Sequence, residues 1–226
     1  MIKLTFFTGA GVSEESGIPT FRGNDDSLWS KYNVEIVAST FGLKHHFKDV
    51  LDFHNDGREL IKNINPNYCH NKIAELEKEF DVTVITTNID TLHEKAGSTK
   101  VIHLHGNLYE NCDIDKNKPY ISYDPINVGD IHPETNKQIR PNTVLFGELL
   151  SYDTHTLYKD VVKSSNYLII IGSSLSVFPS NEVIHYNSNI IYIDPTLPES
   201  PKSTNWNIIQ KSACDGIDDV LELIKS

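Results

Sequence analysis

Gly9-Ala10-Gly11 follows directly on the apolar run Lys3–Phe7, and Ser13 comes two residues later. Small residues there let a backbone approach a pyrophosphate, and a helix starting at this point turns its amide groups toward negative charge. Ser13 can cap such a helix or donate to a phosphate. The six-residue G-x-G-x-x-G is incomplete, the next glycine being Gly17, so an ordinary tight turn satisfies the same residues. Gly17-Ile18-Pro19-Thr20-Phe21-Arg22-Gly23 then forms a loop stiffened by Pro19. Arg22 offers its fork of donors to a phosphate or to a surface carboxylate, and Phe21 its ring to a ligand or to the core. A second group lies far along the chain: Thr87-Asn88-Ile89-Asp90, then His103-Leu104-His105-Gly106. A neutral imidazole suits proton removal near neutral pH, which makes His105 a candidate general base. His103 falls on the opposite face if this stretch is a strand, and reads as structural. Asn88 and Asp90 are a polar pair; as residues alone, they fit a strand-end turn that caps a helix better than a ligand site.

Such groups need a rigid frame. Short β-branched or aromatic runs recur at Lys3–Phe7, Val82–Thr86, Val101–His103, Tyr167–Ile171 and Ile190–Ile193. Runs as continuously apolar as Tyr167–Ile171 suit strands buried on both faces of a parallel sheet. Helical spacing predicts helices over Asn67–Phe80, Tyr152–Ser164 and Asp215–Ile224. Strand and helix alternate, so the fold class is α/β, a Rossmann-like parallel sheet flanked by helices. Residues 25–65 and 107–142 interrupt the alternation and read as two insertions packed together as a small lobe. The core is then about 1–24, 66–106 and 143–226 of a single domain. Ligands of such sheets bind beyond the carboxyl ends of the strands.

Composition narrows the classes. The chain has 226 residues and a formal net charge of −11. That surface repels phosphate backbones, so nucleic acid is not an expected partner. Cys69, Cys112 and Cys214 are scattered and form no C-x-x-C, as in a reducing cytoplasm. No apolar run approaches the roughly 20 residues of a membrane helix, and the N-terminus does not read as a signal peptide. A cytoplasmic protein with no membrane partner is expected.

Gly9-Ala-Gly-Val-Ser13-x-x-Ser-Gly17-Ile-Pro-Thr20-Phe21-Arg22 resembles the first motif of the sirtuins. Further matches follow in the family's order: Thr87–Asp90 with Leu92–Gly97, Val101–Gly106, Arg140–Glu148 and Gly172–Pro179. The resemblance covers nearly the whole chain and implies an NAD-dependent protein-lysine deacylase. In such enzymes nicotinamide leaves, the acyl oxygen attacks the anomeric carbon, a histidine deprotonates a ribose hydroxyl, and the acyl group ends on ADP-ribose. It further implies that Asn88 holds the ribose side, Asp90 bonds the nicotinamide carboxamide, Ile89 walls the pocket, and His105 is the base. Gly9, Ala10, Gly11, Ser13, Thr20, Phe21, Arg22, Thr87, Gly172, Ser173, Ser174, Asp194 and Cys214 complete the implied NAD site. An acyl-lysine peptide would lie as a strand between Phe146-Gly147 and Val177.

The chain departs from the family at three places. Most sirtuins carry two C-x-x-C pairs for zinc after the catalytic histidine; here only Cys112 and His132 are at hand, and structural zinc needs four ligands, so no metal is expected. Thr87 stands where the family has glutamine, with the loss of one reach toward the ribose. His54 and Arg58 stand near the tyrosine and arginine that select acidic acyl groups. They are candidate substrate contacts, but the pair is not intact, which favours acetyl or another neutral acyl group. The same Asn88 and His105 would also serve an ADP-ribosyltransferase or an NAD hydrolase, the alternative output; a non-catalytic NAD sensor is expected to have lost them.

Overall fold

The computed structural model describes residues 1–20, 31–198 and 206–225. Phe21 and Arg22 lie outside the described residues. Six parallel strands, β1 (Lys3–Thr8), β2 (Asp81–Thr86), β3 (Val101–His103), β7 (Tyr167–Ile171), β8 (Ile190–Ile193) and β9 (Asn207–Ile209), form one sheet. Their order is β3-β2-β1-β7-β8-β9. The α/β parallel sheet expected from sequence is thus the observed one, extended at its edge by β9.

Each central strand sends alternate residues to opposite faces, as strand geometry requires. Leu4, Phe6, Val82, Val84, Ile169, Ile171, Ile191 and Ile193 face α5 (Tyr68–Leu76), α9 (Ala213–Gly216) and α10 (Asp219–Lys225). Phe7, Ile85, Leu168, Ile170, Ile190 and Tyr192 face α7 (Tyr152–Ser164), which supplies Tyr158 and Val162. Burying one such side chain stabilises the fold by about 1.5–3 kcal/mol. Asn67 caps α5, its side chain and that of His70 closing a reciprocal box, and the helix ends at Leu76, short of the expected Phe80. The expected C-terminal helix is two: Ser212 caps α9, and Gly216 lies where a Cβ would meet Ile193 at 2.6 Å before the chain turns into α10.

The two interrupting stretches contain α2 (Val34–Val37), α3 (Thr40–His45), α4 (Phe47–Lys62) and a three-stranded antiparallel sheet. That sheet is β5 (Tyr120–Ile121), β4 (Glu110–Asp113) and β6 (Ile139–Pro141), in this order. Asn55 of α4 exchanges two bonds with the Ile126 backbone, at 2.9 Å each. Among the described residues, no helix is long and apolar enough to cross a membrane.

Candidate active site

The order in which strands are added changes side between β1 and β7, the switch point beyond whose carboxyl ends sheets of this kind leave a ligand crevice. Two glycine turns meet there. The Gly9 amide donates to Ile171 and the Gly11 amide to the Gly172 carbonyl, at 3.0 and 2.9 Å. A Cβ on Gly9 would lie 2.6 Å from the Gly172 oxygen, and one on Gly172 would lie 2.4 Å from the Val12 nitrogen. Gly172 also has φ +61°, a left-handed value that glycine adopts readily. Bare backbone on both turns fits the close approach of a pyrophosphate. Ala10 is the first residue of the turn into α1 (Gly11–Glu14), which has no side-chain cap.

Ser13 ties two loops together. It does not cap α1. Its buried hydroxyl donates to Asp90 Oδ2 at 3.0 Å and accepts from Asn88 Nδ2 at 3.2 Å. Asn88 also donates to the Gly9 carbonyl at 3.1 Å. The first glycine turn is therefore tied directly to the loop after β2. Asp90 is 7% exposed and takes the Leu92 amide on its other oxygen at 3.0 Å. Burial raises its pKa; the Leu92 and Ser13 bonds and the positive field of His103 work against the rise. The Thr87 hydroxyl donates back to the Thr8 carbonyl at 3.3 Å, so it braces strand β1 where glutamine would reach outward. Ile89 packs against Ile61, Leu108 and Tyr109.

His105 lies just past β3, its carbonyl accepting the Val144 amide at 2.9 Å. Burial lowers its pKa, opposed by bonds to the backbone of Phe178 and Thr87. A neutral ring at neutral pH is the form a base requires. On the other side of the crevice, Ser173 is buried and its carbonyl accepts from Tyr192 at 2.9 Å, while Ser174 is exposed and pairs with Ser176 at 2.8 Å. Asp194 closes β8 and accepts the Thr196 amide at 2.8 Å; burial raises its pKa. The Cys214 amide donates to Glu15 at 2.9 Å. Thr20 is partly exposed at the end of the first described segment.

Phe146 exchanges backbone bonds with Ala38 and Thr40, at 2.7 and 2.9 Å, and its ring is 53% exposed. Gly147 has φ +93° and leaves room for Thr40. Val177 is also exposed. This segment is anchored from behind: Glu148 accepts from Arg140 at 2.6 Å, Lys116 at 3.1 Å and the Leu145 amide at 2.9 Å.

His54 and Arg58 require a correction. The structure spends both inside the protein, so neither is free to meet a substrate. His54 is 2% exposed, with Nδ1 on the Val50 carbonyl at 2.7 Å and Nε2 on the Thr143 hydroxyl at 2.9 Å. Burial lowers its pKa to about 4, so the ring is neutral. Arg58 is 3% exposed and donates to Leu108, Asp124 and Asn111. Their spacing with Val50 and Ile61 on one buried face of α4 is the sequence signal that would have shown this.

A zinc ion does not fit the donor set. Cys112 is fully buried and burial raises its thiol to about 11, whereas zinc takes a thiolate. His132 donates to Lys118 at 2.9 Å and accepts from Glu134 at 3.2 Å. Among the described residues no three metal-ligating side chains converge.

The geometry can be set beside known proteins. The model of the Sir2 family matches residues 9–179. The chain belongs to the Sir2 family. An NAD-dependent protein deacylase of Helicobacter pylori is 38% identical over 98% of this chain and 96% of its own length. A solved Sir2 homologue mutant in complex with ADP-ribose superposes with a TM-score of 0.86 at 31% identity, over 99% of this chain and 92% of the other. A Sir2 solved with a deacetylated peptide and acetylated ADP-ribose matches with a TM-score of 0.82 at 28% identity, over 98% and 93%. The Sir2 chain thus carries its crevice, its two glycine turns and its Asn88–Asp90 loop in a fold whose solved members hold ADP-ribose.

Proposed function

We propose that this Sir2 protein is an NAD-dependent protein-lysine deacylase whose working residues are Asn88, Asp90 and His105. The observation that carries the assignment of roles is the Ser13–Asn88–Asp90 cluster, which joins the first glycine turn to the loop beside His105. NAD supplies an electrophilic ribose carbon that already bears a good leaving group. Gly9, Gly11 and Gly172 would hold its pyrophosphate, Ser173, Ser174 and Asp194 the adenosine side, and Asp90 the carboxamide. Ser13 and the Gly9 carbonyl fix the Asn88 side-chain amide, and this preorganisation is what stabilises developing charge. His105, neutral and held by two backbone contacts, takes the proton from a ribose hydroxyl.

The acyl-lysine peptide would lie as a strand between Phe146-Gly147 and Val177, with the exposed Phe146 and Val177 side chains on either side of it. The acyl group is acetyl or another neutral one, because His54 is neutral and Arg58 has its donors committed. Helices α2–α4 and the β5-β4-β6 sheet form the small lobe that carries this cleft, without zinc. The free thiols of Cys69, Cys112 and Cys214 support a reducing compartment, the cytoplasm.

The test is product analysis by mass spectrometry with NAD, with and without an acetyl-lysine peptide, for the native protein and His105→Ala. Expected are peptide-dependent nicotinamide and acetyl-ADP-ribose, with formation of acetyl-ADP-ribose reduced about 10²–10⁴-fold in the variant and NAD binding kept. Peptide-independent ADP-ribose, or mass added to a protein, would move the assignment to NAD hydrolysis or ADP-ribosyl transfer. A succinyl peptide processed as fast as an acetyl one would overturn the neutral-acyl reading.

A further inference from the structure

His103 stands two residues before His105, on the strand that delivers the base, and the chemistry above gives it no part. Its surroundings do. Nδ1 lies 3.0 Å from the Asn88 carbonyl oxygen and Nε2 lies 2.7 Å from Glu94 Oε1. Both partners are acceptors. A neutral imidazole carries one N–H and can satisfy only one of them; two acceptors on opposite nitrogens call for two N–H groups, the imidazolium. The ring is largely buried, its side chain 12% exposed, and Glu94 is 38% exposed.

The Asn88 carbonyl belongs to the peptide between the two residues on which the ribose and its leaving group depend. The neighbouring contacts of that loop are also fixed: the Asn88 amide donates to Thr86 at 3.1 Å, and the Ile89 carbonyl accepts from Leu108 at 2.8 Å. His103 closes this set from β3, and its positive charge faces the buried Asp90 carboxylate. Three titratable groups surround it: Glu94 and His93 from α6 (Leu92–Ala96) and Asp90 from the loop before that helix. Glu94 and Asp90 favour the cation. His93 is buried and neutral and adds no opposing charge, its pKa driven well below the ordinary value by burial.

We infer that His103, gripped as an imidazolium between Glu94 and the Asn88 carbonyl, is a positioning residue that holds the Asn88–Asp90 loop in its working shape. The inference rests on the roles proposed for Asn88, Asp90 and His105. It separates two neighbouring histidines by the proton they need: His105 works without it, and His103 works with it. Burial works against the His103 cation, but the Glu94 bond and charge and the Asn88 bond outweigh it and raise the pKa above 6.5. The two acceptors therefore hold the imidazolium to higher pH than a free ring would keep it, and it is lost as pH climbs through that raised value. With the proton goes one of the two bonds. Burial lowers the His105 pKa, so the acid side of the pH–rate profile belongs to His105 and the alkaline side to His103.

The experiment measures acetyl-ADP-ribose formation from NAD and an acetyl-lysine peptide against pH, as kcat, in the native protein, Glu94→Gln, His103→Gln and His105→Ala. The His103 ring is titrated by NMR in the first two, and thermal melts verify the fold of all four. Glu94→Gln keeps an acceptor and removes the charge, so its alkaline limb and its His103 titration should both move down by about one pH unit. His103→Gln keeps one donor for Asn88 and has no proton to lose; its alkaline limb should vanish and kcat fall roughly tenfold with KM for the peptide unchanged. An alkaline limb that stays in place in both folded variants overturns the inference. So does an NMR titration of native His103 below 6.5, which is read without turnover. Equal acetyl-ADP-ribose formation by His105→Ala and native protein would instead overturn the roles on which the inference rests.

Discussion

Strands β7 and β8 of the large sheet and strand β4 of the small one are buried to a similar degree by different residues. Leu168 to Ile171 and Ile190 to Ile193 are enclosed and apolar but for one tyrosine hydroxyl. In β4 the enclosed residues are Asn111, Cys112 and Asp113, beside Arg140 of β6. Asp113 Oδ1 alone accepts the amides of Asp115 and Asn117, at 3.0 and 2.8 Å. The large sheet is stabilised by area removed from water, which is forgiving of detail. The small one depends on polar groups that must each find a partner, and one lost partner leaves another group stranded. Since Arg140 and Glu148 are part of that network, the peptide cleft inherits its sensitivity. The NAD crevice inherits the rigidity of the large sheet.

The largest effect should come from a place where the large sheet is not forgiving. Gly172→Val puts a Cβ 2.4 Å from the Val12 nitrogen at φ +61°. Strain of this kind costs at least about 3 kcal/mol. Calorimetry should find a fall in Tm together with a loss of NAD affinity. A variant that melts normally would mean that the two glycine turns do not touch in solution.

Next in size is the pair that anchors the cleft. Arg140 and Glu148 are 2% and 13% exposed. Burial disfavours the Glu148 carboxylate, but Arg140, the Leu145 amide and Lys116 lower its pKa on balance. Removing one partner of a buried pair typically costs about 3–5 kcal/mol, and removing both costs less. Glu148→Gln and Arg140→Met should each lower stability and raise KM for the peptide, with NAD affinity preserved, and the double variant should recover part of the loss. Equal damage to NAD and peptide binding would erase the distinction between the two regions.

Acid should reach both regions at once. His54 beneath the cleft and His70 in α5 are buried neutral, each with a pKa lowered from 6.5 to about 4 by burial. A depressed histidine pKa means that the unfolded chain binds the proton first. Stability is then full above pH 6.5 and falls as pH drops toward 4, by about 2 kcal/mol per ring at pH 5. Urea unfolding at pH 7 and pH 5 measures this. His54→Gln should shrink the difference by one ring's share; an unchanged difference would mean that His54 is not held neutral in the fold.

The same contrast explains what could be read from the sequence. β-Branched runs announce β1, β2, β7 and β8 because burial on both faces demands them. β9 has only three residues, two of them exposed, and its run is too short to stand out. The small sheet is polar, and its pairing is set by turns and side-chain bonds that leave no periodicity. Asn88, Asp90 and His105 could be named from the motifs, and the structure gathers Asn88 and Asp90 with Ser13. The Ser13–Asp90 bond itself spans 77 positions and has no local signal, nor has the grip of His103 on Glu94. His54 and Arg58 were legible in principle, but the likeness to an acyl-selecting pair outweighed the helical face on which they lie.

The smallest expected effect tests whether the polar network is self-sufficient. A lobe held by zinc would lose its bonds to a strong chelator, because binding free energy of a structural metal is folding free energy. Here the corresponding contacts are protein to protein: Arg58 to Asn111, Asp124 and Leu108, His132 to Lys118, and Arg140 to Glu148. None of these groups is a thiolate, and Cys112, its pKa raised to about 11 by burial, keeps its proton at neutral pH. Incubation with EDTA or a thiol-directed zinc chelator should leave both Tm and deacylation unchanged, and metal analysis should find well under one zinc per chain. A drop in Tm with chelator, reversed by zinc, would show that the small sheet needs a metal and that its side-chain bonds are secondary to it.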